Sequence, residues 1–260
     1  MDIKSVIRAC CVLLCVVGRG SVAAPLPNFT DTELEPSSKE TVQSKKSFQR
    51  SLSGLYGIES WQDSNIAQPY SDFGSLYTAA THAQTELDTL IKEISLISHT
   101  QAVMPGVKSQ QRAEKKITTE LQGDVTKITD LARGSIVADD IGNLVQAFEL
   151  MNKEVTVVAV KNRFKSPTPS GYRDLKMLVR LPKSNVIAEV QLHLQGISDI
   201  KNGAEHEIYE QIQKIERVGL AQKRELSEFE TAKIKQLRSE SLALYQNAWQ
   251  QYLQPETIAV

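Results

Sequence analysis

The segment Val155–Val160 reads VTVVAV, an almost unbroken β-branched run. A strand with one wet face alternates polar and apolar residues, so a run without alternation demands cover on both faces. It predicts a strand lying centrally in a sheet, and such a sheet needs helices to cover it. The flanking sequence supplies both. Leu87, Leu90, Ile91, Ile94 and Ile97 recur at helical spacing within Leu76–Gln101, Pro105-Gly106 stops that helix, and a shorter one is expected over Gln110–Leu121. Thr126–Val137 has the β-branched content of a strand, and Asp139-Asp140 offers a cap for a helix over Ile141–Met151. Pro167, Pro169 and Gly171 impose a loop, after which Leu175–Leu181 and Val186–Leu192 flank Pro182-Lys183-Ser184-Asn185 as a hairpin. Helices over Ala204–Arg217 and Gln222–Leu253, parted by Gly219, complete the pattern. The expected fold is α+β, a mixed β-sheet of about four to five strands flanked by helices, with a long C-terminal helix.

The ends of the chain read differently from its middle. Lys4 and Arg8 precede the apolar run Ala9–Val17, and Ser21-Val22-Ala23 gives the small residues of a cleavage site, so residues 1–23 are expected to be a secretory signal peptide. The run is far short of the ~20 residues that a permanent span requires, so no stable membrane insertion is expected. The reading places the protein outside the cytoplasm, secreted or periplasmic. All three cysteines, Cys10, Cys11 and Cys15, fall in this leader, which leaves the rest of the chain to be stabilised by packing. Residues 24–71 are rich in Pro, Ser, Thr and charge without a periodic apolar face, as in a linker or disordered arm. A folded domain is then expected over 72–220 and the C-terminal helix over 221–254. That helix carries Leu237, Leu244, Tyr245, Ala248, Trp249 and Tyr252 near one side, to pack on its own domain or to form an oligomer.

Thirty Lys and Arg stand against thirty-one Asp and Glu, which excludes nucleic-acid binding by bulk positive charge and makes any anion site a local one. No HExxH, CxxC, Walker loop or GxSxG elbow is present, so the common zinc-protease, P-loop and serine-hydrolase chemistries lack their residues. Two carboxylates stand out instead. Asp130 falls at the start of one expected strand and Glu189 inside another, where a carboxylate must face water, a partner or a cation. Converging, they would suit Mg²⁺. Lys108, Arg112 and Lys116 recur at four-residue steps, which places them on one helical face, to grip a polyphosphate or simply to face solvent.

Four pieces between Lys108 and Glu210 carry a resemblance. They are Lys108-Ser109 with Lys116, then Ile128-Thr129-Asp130-Leu131-Ala132-Arg133-Gly134, then Lys161-Asn162-Arg163-Phe164 with Ser170-Gly171-Tyr172-Arg173, and last Ala188-Glu189-Val190-Gln191-Leu192. In this order and spacing they resemble the RelA/SpoT-type nucleotide pyrophosphokinases, the alarmone synthetases, whose fold is nucleotidyltransferase-like. The resemblance implies transfer of a pyrophosphate group from ATP to the 3′-hydroxyl of a purine nucleotide such as GDP or GTP, with an RNA 3′ end as another acceptor of the same chemistry. It implies Mg²⁺ held by Asp130 and Glu189, which are also the catalytic pair. It further implies ATP phosphates on Lys108, Ser109, Arg112, Lys116, Arg133 and Lys161, and the acceptor on Tyr172, Arg173, Gln191 and His206, with the Tyr172 ring stacked on the base. Ser135 and Asn162 stand where the family usually has arginine and aspartate, Arg112 where it has serine, and Lys176 where it has histidine. With the leader, the resemblance suggests an exported effector or toxin. Its rival is an inactive relative that binds a nucleotide or a host protein through the same cleft.

Overall fold

The structure, a computed structural model, describes residues 38–254, so the expected signal peptide lies outside the described residues. The chain runs α1 (Ser38–Gly57), β1 (Trp61–Gln62), α2 (Phe73–Ile97), β2 (Gln101–Val103), α3 (Gln110–Glu120), β3 (Arg133–Ala138), α4 (Ile141–Glu154), β4 (Thr156–Asn162), β5 (Leu175–Arg180), β6 (Ile187–Leu194), α5 (Gln195–Asn202), α6 (Ala204–Ala221) and α7 (Glu228–Gln251). Six strands form one mixed sheet in the order β1-β4-β5-β6-β3-β2, in which only the β3–β6 pair is parallel. The α+β fold with a long C-terminal helix is as expected.

Alternation along the strands divides the sheet into two faces. Leu175, Met177 and Val179 of β5 and Ala188, Val190, Leu192 and Leu194 of β6 are buried and join one core with Leu87, Ile91, Leu144 and Met151 from α2 and α4. Gly134 lies where α2 comes close: a Cβ there would stand 2.3 Å from Ile91 Cδ1. The other face carries the offset set, with Arg133, Ser135 and Val137 beside Glu189, Gln191 and His193 in register. Lys176 and Lys161 continue it across β5 and β4.

Four expectations need correction. The run that begins at Val155 becomes β4, an interior strand, but its outer neighbour is the two-residue β1, so β5 and β6 form the middle of the sheet, with β4 and β3 each one place from an edge. Its apolar content serves the one packed face and a bulge between Val157 and Ala159. Residues 24–71 are not a free arm over their described part. Helix α1 packs on α4, Leu55 is fully buried, and the Gln68 side chain donates to Ile128 O at 2.7 Å and Ile187 O at 2.8 Å. Strand β3 begins only at Arg133, because a short 3₁₀ turn at Val125–Lys127 and a bend at Leu131–Ala132 precede it, so Asp130 sits before the strand. Gly219 lies inside α6, and the break before α7 falls at residues 222–227, where Ser227 and Glu230 form a capping box.

Asn162 explains one departure from the family pattern. Its Nδ2 donates to Leu55 O (2.8 Å) and Ile58 O (2.9 Å), while its Oδ1 accepts from Phe164 N and Lys165 N. An aspartate has no hydrogen for the two carbonyls that end α1. Asn162→Asp is expected to lower unfolding free energy by about 2 kcal/mol or more, read from urea denaturation. An unchanged midpoint would show that α1 is not fastened here.

Candidate active site

The uncovered sheet face is crossed by a chain of polar contacts. At one end Arg163 donates to Asp174 Oδ1 at 2.5 Å, and the Tyr172 hydroxyl bonds Asp174 Oδ2 at 2.8 Å and His193 Nε2 at 2.7 Å. Lys201 Nζ then lies 3.4 Å from His193 Nε2 and donates to Gln191 Oε1 at 2.9 Å. Gln191 Nε2 donates to Glu189 Oε1 at 2.8 Å, and Glu189 Oε2 is paired with Lys176. Burial pushes the carboxyl of Asp174 up, with Arg163 opposing, and burial holds the His193 imidazole down at about 3, where it is neutral at physiological pH.

Asp130 lies beyond the Arg133 end of this face. Lys108 Nζ donates to its Oδ2 at 2.7 Å and Lys116 Nζ to the same atom at 2.8 Å. Burial by itself would raise this carboxyl, but the two lysine hydrogen bonds and charges bring it below the usual range. Its Oδ1 is buried and has no hydrogen-bond partner. Backbone connects the two acids: Glu189 N donates to Ala132 O, two residues after Asp130. No contact joins the two carboxylates: Asp130 is paired with Lys108 and Lys116, and Glu189 with Lys176. Among the described residues no group of three or more His, Cys, Asp or Glu is placed to hold a metal ion. Two carboxylates are nonetheless a fitting protein share for Mg²⁺, which fills most positions with water and substrate phosphate, and Asp130 Oδ1 is a free hard oxygen.

Several expected site residues have other roles. Lys108 precedes α3, so it shares no helical face with Arg112; Lys108 and Lys116 converge on Asp130, while Arg112 is exposed and unpaired among the described residues. Ser109 caps α3 without a side-chain bond, and Lys161 is exposed on β4. The Tyr172 ring is not open for stacking. Tyr245 of α7 meets it edge-on at 5.6 Å, and the charges of Arg163 and Lys201 lie 5.7 and 5.8 Å from its centroid. Arg173 places its guanidinium 5.2 Å from the Trp249 ring and donates to Phe164 O, so it fastens the loop to α7. His206 lies on the exposed side of α6 beside Glu210, away from the face that holds Gln191. Sequence patterns missed α5 and with it Lys201, and missed that Lys176, Asp174 and His193 join the network. The two-residue spacing of Glu189, Gln191 and His193 was the signal available for His193.

The fold is similar to that of solved small alarmone synthetases. The small alarmone synthetase 2 from Bacillus subtilis superposes with a TM-score of 0.52 at 22% identity, covering 70% of this chain and 95% of that one. The Type VI effector Tas1, in complex with its immunity protein, gives 0.51 at 22% identity over 68% of this chain and 96% of that one. In sequence, the (p)ppApp synthetase toxin Tas1 of Pseudomonas aeruginosa (strain UCBPP-PA14) is 30% identical over 122 residues, which is 46% of this chain and 27% of that protein. The chain thus matches about a quarter of this relative's length. No family model matches. The chain thus shares the fold of the small alarmone synthetases and is similar in sequence to part of one (p)ppApp synthetase.

The buried neutral His193 gives a pH prediction. Its folded-state value is depressed from 6.5 to about 3, so the unfolded chain binds the extra proton first as pH falls. Its contribution to stability is complete above about pH 6.5 and declines below it. Urea midpoints of the unmutated protein should fall between pH 7 and pH 5, and His193→Gln should flatten that slope. Equal slopes would mean that His193 is not held neutral.

Proposed function

We propose that this protein transfers a pyrophosphate group from ATP to the 3′-hydroxyl of a purine nucleotide. The observation that carries the reading is the approach of two lysine-paired acids: Asp130, just before β3, held by Lys108 and Lys116, and Glu189, on the polar face of the adjoining β6, held by Lys176 and Gln191, with Glu189 N bonded to Ala132 O two residues after Asp130. In the transfer, the acceptor oxygen forms a bond to the β-phosphorus of ATP, the bond from that phosphorus to the α-phosphate oxygen breaks, and AMP leaves. Little covalent work falls to the protein in such a step; it must hold the phosphates in line and neutralise their charge.

Lys108 and Lys116 are placed to exchange Asp130 for triphosphate oxygens, with Arg133 facing the same side. Asp130, through its free Oδ1, and Glu189 would hold Mg²⁺, which supplies charge neutralisation at the bridging phosphates when bound. Glu189 accepts the hydroxyl proton once an incoming phosphate draws Lys176 away; while Lys176 stays, the carboxylate is a weak base. The relative's name, (p)ppApp synthetase, favours an adenine nucleotide as acceptor. Reading residues 1–23 as a secretory signal adds export, hence an effector or toxin that meets its substrates in another cell. Among the described residues no helix is long and apolar enough to cross a membrane.

A second reading, a nucleotide binder without turnover, is favoured by the covered Tyr172 ring and by the engagement of both Glu189 oxygens. Incubation of the protein with Mg²⁺, labelled ATP and a panel of AMP, ADP, ATP, GDP, GTP and RNA separates the two. Label is expected on an adenine nucleotide, lost on chelation of the metal, and reduced about 100-fold or more in Glu189→Gln and Asp130→Asn. Nucleotide binding without label transfer to any acceptor would establish the binder.

A further inference from the structure

We infer that Lys201 and Arg133 together form a phosphate-binding subsite in the cavity over the β3–β6 pair, and that it takes a phosphate of the bound nucleotide. This deepens the proposed nucleotide chemistry and rests on it for the choice of nucleotide as ligand. The cavity has a volume of about 310 Å³, and both cations line it together with Ser135, Gln191, Ser198 and Glu189, whose carboxylate is engaged by Lys176 and Gln191.

Lys201 enters from α5 and is half-buried. Its Nζ donates to Gln191 Oε1 at 2.9 Å. His193 Nε2, 3.4 Å away, is shared with the Tyr172 hydroxyl, which lies closer to it at 2.7 Å. Among the described residues no carboxylate oxygen lies within 4.0 Å of it. Glu189 is engaged by Lys176 and Gln191, and Asp174 by Arg163 and Tyr172, so both act on Lys201 only from farther away.

Arg133 presents the same imbalance from the facing strand. Its backbone is pinned by the Gln84 side chain, which accepts from Arg133 N at 3.0 Å and donates to Arg133 O at 2.9 Å. Among the described residues its guanidinium forms no ion pair and its buried Nε has no hydrogen-bond partner. Burial pulls the Lys201 ammonium below the usual lysine range, with the charges of Asp174 and Glu189 opposing and those of Arg163 and Arg133 adding to it.

Two cations with unengaged donors, drawn into one half-enclosed cavity, repel each other and lose water unless an anion joins them. A phosphate suits the pair, since it accepts a fork of hydrogen bonds from an arginine and a point contact from a lysine. Ser198 adds a neutral donor from α5. Ser135, in place of the arginine usual in the family, leaves the floor between them open. The phosphate belongs either to ATP or to the acceptor nucleotide, and the two sources are distinguished by the ligands of the test.

The test is calorimetry on the full chain with inorganic pyrophosphate, a non-hydrolysable ATP analogue, ADP and adenosine. Lys201→Met should weaken pyrophosphate about tenfold or more while leaving adenosine unchanged, and Lys201→Arg should recover most of the loss. Arg133→Met should give the same pattern, so the inference stays open to refutation if one variant fails to fold. A loss on the ATP analogue alone assigns the subsite to the donor, and a loss on ADP alone assigns it to the acceptor. Pyrophosphate bound equally by all variants, or adenosine weakened as much as its phosphates, overturns the inference even if the protein transfers label. Lys201-dependent pyrophosphate binding in a protein that transfers nothing would sink the proposed reaction and leave the subsite standing.

Discussion

The buried carboxylate of Asp174 governs the open face of the sheet. It is fully enclosed, and a carboxylate in that position is tolerated only with its oxygens engaged. Arg163 takes one oxygen and Tyr172 the other, which turns the tyrosine hydroxyl toward His193 and fixes the ring. From that anchor follow the neutral state of His193, the placement of Lys201, and the contact through Gln191 to Glu189. Helix α7 completes the arrangement. Its Tyr245 covers the Tyr172 ring, Trp249 receives Arg173 and packs 5.4 Å from the Phe164 ring, and Leu242 sits where any Cβ at Gly171 would fall, 2.9 Å away. Gly171 also has a positive φ of 84°, so both its backbone and its missing side chain are required at this turn.

Asp130 follows the opposite logic at the other end. It is buried less completely and meets two lysines on a single oxygen, which leaves the second without a partner. A carboxylate that needed only structural neutralisation would have both oxygens engaged.

How far the sequence could be read depended on how local the signal was. Helices α2, α3 and α4 were legible because apolar spacing and caps such as Asp140 act within a few residues. The hairpin of β5 and β6 was legible because Pro182 and Asn185 mark its turn. Helix α1 was missed because its stripe of Phe48, Leu52 and Leu55 is narrow and set among serines and lysines. Helix α5 is only eight residues long and follows directly on β6, with Leu194 as its cap residue, so no loop announces it. The four-residue spacing that put Lys108, Arg112 and Lys116 on one helical face does not survive the fold, because Lys108 precedes α3, and Arg173 and His206, taken from the resemblance, lie against Trp249 and Glu210.

The sequence by itself determined the alternation of strands and helices, the α+β class, and the identity of the two acids and two lysines, because periodicity and motif order are properties of the chain alone. Only the tertiary structure decided that β4 lies beside an edge, that Tyr172 and Arg173 face α7, and that Lys201 stands in the cavity without a counter-ion. Those facts depend on which residues distant in the chain meet, and on whether a buried charge finds its partner there.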